Sequence, residues 1–127
     1  MPFVFVDGKA HAVTPLVDVG GTDPVEIIRC TPAGLKYVIR KLFIYNRDTA
    51  DHEVTLGEYD VSSGSWVRDV LVVKVAAGQM LSLTPDDLPM DFVVTVDQHN
   101  ALRAWAAKLD ADVSANPVKV KAEFAVV

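Results

Sequence analysis

The sequence predicts an all-β fold: an antiparallel β-sandwich of about eight to nine short strands, of jelly-roll or related topology, with at most one short helix. Three observations carry this. The stretch Tyr37 to Asn46 is built of β-branched and aromatic residues around Arg40 and Lys41, and has neither Gly nor Pro. From Val118 onward the chain alternates, with Val118, Val120, Ala122, Phe124 and Val126 on one face and Lys119, Lys121 and Glu123 on the other. Between these, short apolar runs are punctuated by Gly, Pro, Asn, Asp and Ser.

In chain order, Phe3–Val6, Asp7-Gly8 and Lys9–Val13 read as a hairpin, because Asp-Gly suits a two-residue type I′ turn. Thr14-Pro15 and Gly20–Pro24 bracket a short run, Leu16 to Val19. Val25–Cys30 is the next strand, and Thr31–Gly34 a turn. Tyr37–Asn46 follows as the spine; both its faces are largely apolar, as a central strand requires. Asn46–Thr49 ends it. His52–Tyr59 is a strand with Val54 and Leu56 inward, and Asp60–Ser65 a turn. Trp66–Ala76 is a long apolar run with Val67, Leu71, Val73 and Val75 on one side; Ala77–Gln79 turns it into Met80–Thr84. Thr84–Pro89 is a loop, and Phe92–Asp97 alternates again. Asn100–Val113 fits two periods. Leu102, Trp105, Ala106, Leu109 and Val113 have helical spacing, while the turn-like residues on either side favour a strand.

The 127 residues suffice for a single domain, 1–127, with one core. Half of them are hydrophobic, which excludes a disordered chain. A net charge of −5 and scattered cations argue against nucleic acid or an anionic membrane as partner. No apolar run approaches the roughly 20 residues of a membrane helix. Cys30 is the only cysteine, so a disulfide-stapled secreted domain is excluded. The first residues lack a basic region, and no signal peptide is expected.

No catalytic motif stands out. His11, His52 and His99 contain no His-x-His pair of the kind a cupin metal site needs, and are expected as unrelated surface residues. Asp110, Asp112, Ser114 and Asn116 alternate like half a calcium loop, but Ala115 and Lys121 stand where an EF-hand needs Gly and Glu. Asp86, Asp87 and Asp91 read as solvated loop acids. Ser62-Ser63-Gly64-Ser65 is no nucleophile elbow. No enzyme activity, cofactor or metal is expected. The candidate interface or stacking residues are Trp66, Trp105 and Tyr59. The two-faced spine and the run Val70–Val73 offer more apolar strand surface than one thin core needs, so self-association is expected.

The order of elements resembles small β-sandwich virion proteins of tailed bacteriophages: capsid decoration (cement), head-fibre or minor tail proteins. The residues concerned are Leu35–Asn46, then Val54-Thr55-Leu56, Val75–Leu83, Asn100–Ala104 and Asn116–Val120. The resemblance implies a non-enzymatic structural role in a virion, with the major capsid or tail protein as partner and a homo-oligomer, a trimer, as the assembly. A carbohydrate-binding module with an aromatic platform is the alternative reading of the residues.

Overall fold

The computed structural model describes residues 4–6, 9–30, 36–84, 93–95 and 103–126. Eleven strands make up the described chain: β1 (Val4–Val6), β2 (Lys9–Val13), β3 (Val17–Val19), β4 (Val25–Cys30), β5 (Lys36–Asn46), β6 (His52–Asp60), β7 (Ser65–Val75), β8 (Met80–Leu83), β9 (Val93–Thr95), β10 (Arg103–Leu109) and β11 (Val118–Val126). No helix occurs among the described residues. Asp7, Gly8, Asp86, Asp87, Asp91, Phe92 and His99 lie outside them.

All pairings are antiparallel, and they form two sheets. One runs β1-β2-β11-β5-β8, with β3 also on β11 and β9 also on β5; the other runs β4-β10-β6-β7. Two edges are interrupted strands. β2 pairs with the C-terminal half of β11 and β3 with its N-terminal half, on the side away from β5. Likewise β8 and β9 share the free side of β5. With each interrupted pair taken as one strand and β1 as an addition, the order is that of an eight-stranded jelly roll. Thr14 bridges the first interruption. Its N–H donates to the Ala122 carbonyl at 2.8 Å, and its Oγ1 accepts the Ala122 N–H at 2.9 Å. A side-chain oxygen thus serves as the acceptor for Ala122 where the strand breaks before Pro15.

The core lies between the sheets. From β5 and β11 come Ile39, Leu42, Ile44, Val118, Val120, Ala122 and Phe124; from β6, β7 and β10 come Val54, Leu56, Val75, Trp105, Ala107 and Leu109. β5 does not alternate strictly. Its ladder with β11 passes from Lys41 to Ile39, skipping Arg40, so Ile39 and Leu42 both face inward and the bulge takes up Arg40. The helix-or-strand stretch resolves as the central strand β10, paired to β4 and β6 at once. Burial on both faces, with Ala104 and Ala106 as inaccessible as Trp105, outweighs the helix propensity of its alanines.

Bulges also shape the second sheet. β10 pairs Trp105 with Ile28 and Ala106 with Glu26, leaving Ile27 as the extra residue. That puts Glu26 and Arg29, three apart, on one face, where Arg29 binds the carboxylate at 2.9 Å. β7 carries two bulges against β6, at Val67 and Val70. Val67 is therefore 43% exposed instead of continuing the inward row of Leu71, Val73 and Val75.

Candidate functional site

Three places gather chemically capable side chains. The first is the connection between β5 and β6. Asn46, fully buried, accepts the Asp48 N–H on Oδ1 at 3.0 Å. Its Nδ2 donates to the carbonyls of Ala50 at 2.9 Å and Val75 at 3.0 Å. This Asx turn delivers Asp48 to the interior, where its carboxylate accepts the N–H groups of Ser114 at 2.9 Å, Ala115 at 2.8 Å and Asn116 at 3.3 Å. His52 stands beside it, with Nε2 at 2.7 Å from Asp48 Oδ2 and Nδ1 at 3.1 Å from Asp110 Oδ1.

The expectation that His52 is a surface residue is corrected: it is 3% exposed. A neutral imidazole has one N–H, whereas both ring nitrogens here face carboxylates, so the arrangement fits the imidazolium. Burial pulls the His52 pKa down, but the hydrogen bonds and charges of Asp48 and Asp110 outweigh it and leave the pKa raised. The hydrogen bond from His52 dominates at Asp48 and, with the backbone N–H donors, overcomes burial to hold that carboxyl far below the usual range. At Asp110 burial pushes up, and the His52 bond with a backbone donor brings the value down. With both nitrogens engaged by acids the ring has no lone pair to offer a substrate. The cluster therefore ties the β5–β6 turn to the 110–116 loop. Among the described residues no three His, Cys, Asp or Glu side chains are placed to hold a metal ion.

The second place is the outer face of the four-stranded sheet. Tyr59 and Trp66 are opposite each other on β6 and β7. Trp66 donates its indole N–H to Asp69 Oδ1 at 2.7 Å, and the Lys108 ammonium sits 4.2 Å from its ring centre. The ring also lies against Gly57, where a β-carbon would collide with it. Trp105 does not join them. It is fully buried and faces the core from β10, so it is corrected from a candidate interface residue to a packing residue.

The third place is the outer face of the larger sheet, which includes the second apolar face of the spine from which self-association is expected. Phe43 pairs with Lys121 on β11 and with Ser82 on β8; Lys41 pairs with Glu123, which in turn faces Val13. These side chains border a shallow concavity of about 260 Å³. The Lys121 ammonium lies 5.6 Å from the Phe43 ring centre. Val13 is 48% exposed, and Met80, opposite Tyr45 on the same face, 61%. The signal was present in sequence as the solvent-side row of β11 and the odd-numbered aromatics of β5.

Comparison of the chain with protein-family models and with curated proteins finds no match in either.

Proposed function

We propose that this is a non-enzymatic virion structural protein of a tailed phage: a capsid decoration protein that self-associates and stabilises the capsid lattice by binding. The observation that carries the binding role is the outer face of the larger sheet. Phe43, Tyr45, Val13 and Met80 form an apolar and aromatic strip there, among Lys41, Lys119 and Lys121. The strip stands on paired strands, so little ordering entropy opposes docking. Lys119 pairs with Asp18 and Lys41 faces Glu123, so the strip is bordered by charges of both signs, which suits a partner with a complementary polar rim. The buried imidazole supports the same reading, since both its nitrogens are spent on internal carboxylates. The virion setting itself rests on the resemblance in the order of strands and turns.

The test is particle association. Antibody against the protein should label heads of gradient-purified phage from the source culture, and Phe43→Asp protein should fail to rebind stripped heads. Protein found only in the non-particulate fraction overturns the reading.

The neighbouring Tyr59 and Trp66 favour a carbohydrate-binding module as the second reading. Glycan-array binding abolished by Trp66→Ala would establish it in place of the first.

A further inference from the structure

The four-stranded sheet ends on β7, an edge strand of 11 residues. Among the described residues no strand pairs with its outer side. The bulges at Val67 and Val70 leave Leu71–Val75 as a regular ladder on β6. With Val70, this stretch reads Val-Leu-Val-Val-Lys-Val, with one charge and no Pro. Val72 is 52% exposed on the outer face. Such an edge presents a row of backbone donors and acceptors to any matching strand.

We propose that β7 pairs antiparallel with β7 of a second copy, about a twofold axis through Val72, joining two four-stranded sheets into one of eight strands. This deepens the self-association in the proposed function and rests on that part alone. A twofold axis perpendicular to the sheet keeps outer face with outer face. Val72 then meets Val72, and Leu71 meets Val73 of the second copy. The same rotation sets Lys74 opposite the second copy's Val70, beside its Asp69 and on the same outer face. Asp69 gives Oδ1 to Trp66, leaving Oδ2 for the incoming ammonium. Opposite charges thus meet at both ends of an apolar segment, within the reach of a diagonal cross-strand pair. The regular ladder and charge together select this register: centring on Leu71 runs Val73 past the bulge onto Asp69, and centring on Val73 sets Val72 against Lys74. The contact is isologous and closes at two copies, in contrast to the trimer that the resemblance implies.

A contact of this length is smaller than the standard interface of about 1,600 Å², so association is weak and is read at high concentration. Sedimentation velocity from about 10 μM to about 1 mM should show the mean mass rise from 13.8 kDa toward twice that value. Val72→Lys places two ammonium groups opposite each other and should hold the protein at the monomer mass with an unchanged circular dichroism spectrum. Lys74→Asp should weaken association about tenfold, and the exchange Asp69→Lys with Lys74→Asp should restore it. A wild-type monomer throughout overturns both this contact and self-association. An oligomer indifferent to Val72→Lys and Lys74→Asp overturns the β7 contact and leaves self-association standing.

Discussion

His52 and Asp48, four residues apart, form a buried ion pair at 2.7 Å that fastens the β5–β6 turn to a loop more than sixty residues further on. Removing one partner leaves the other as an uncompensated buried charge, which costs about 3 kcal/mol or more. His52→Ala should therefore lower the melting temperature by roughly 10 °C at pH 6. It should also speed amide exchange at Ser114, Ala115 and Asn116, which would be slow in the wild type. An unchanged melting temperature would remove the pair from the fold's supports.

The same cluster sets a pH profile. The His52 pKa is raised above its ordinary 6.5, so its contribution is complete below pH 6.5 and lost as pH rises through the raised value. The pKa values of Asp48 and Asp110 are lowered from 3.8, so their contribution is complete above that value and lost as pH falls through the lowered ones. Thermal stability should peak between about pH 4 and 6.5. His52→Gln should lower the peak and flatten the alkaline arm. Parallel curves for the two proteins would show that His52 titrates without consequence.

Leu42 and Phe43 separate the two faces of β5. Leu42 is 1% exposed in the core, whereas Phe43 lies on the outer face beside Lys121. An unpaired carboxylate at Leu42 costs several kcal/mol, comparable with the 5–15 kcal/mol total stability of a small domain. Leu42→Asp should yield no cooperative melt. Phe43→Asp should melt cooperatively, within about 1–2 kcal/mol of the wild type, because its charge is solvated. Circular dichroism melts of the two variants test the assignment of faces.

The strands were legible where one period ran unbroken. On β11 the inward row is legible at Val118, Val120, Ala122 and Phe124, and Val54 and Leu56 of β6 face inward as the alternation indicates. The reading weakened at each bulge: Arg40, Ile27, Val67 and Val70 each shift the side-chain phase without a residue type that announces it. The His52 cluster was illegible for another reason. Asn46, Asp48 and His52 form a local pattern, but their stabilising partners, Val75, Asp110 and the amides of 114–116, are distant in sequence and become neighbours only through the jelly-roll path. Trp105 was misassigned because an aromatic residue in an Ala-rich stretch looks the same whether it faces a core or a partner.

Gly57 carries a prediction about the outer face of the smaller sheet. A β-carbon there would strike both the Trp66 ring and the Arg68 carbonyl oxygen across the bulge. The ring can swing away, but the carbonyl belongs to the backbone of β7. Gly57→Ala should cost about 1–3 kcal/mol, on the scale of overpacking. It should also detach Trp66 from Asp69 and Lys108, shifting one of the two tryptophans to red-shifted, quencher-accessible emission. Trp105, sealed in the core, should keep its blue emission. An unmoved spectrum would mean that Trp66 is not seated on Gly57.

Asn46 is a fully buried neutral amide at a place where a charge would be costly. Its amide nitrogen donates to two carbonyls, Ala50 and Val75, while its oxygen accepts from the Asp48 backbone. Asn46→Asp preserves the shape and replaces that donor with an acceptor facing two acceptors. Each buried carbonyl then loses its partner, at about 1–3 kcal/mol apiece, and the new carboxylate stands near the buried Asp48. Protonating the new acid restores one donor. Its deficit should therefore shrink as pH falls toward 4, opposite to the wild-type trend below the carboxylate range. Denaturant melts of wild type and Asn46→Asp at pH 7 and pH 4.5 measure both quantities. A variant as stable as the wild type at pH 7 would place Asn46 outside the buried network, and a deficit constant with pH would deny that its carboxylate is buried against carbonyls.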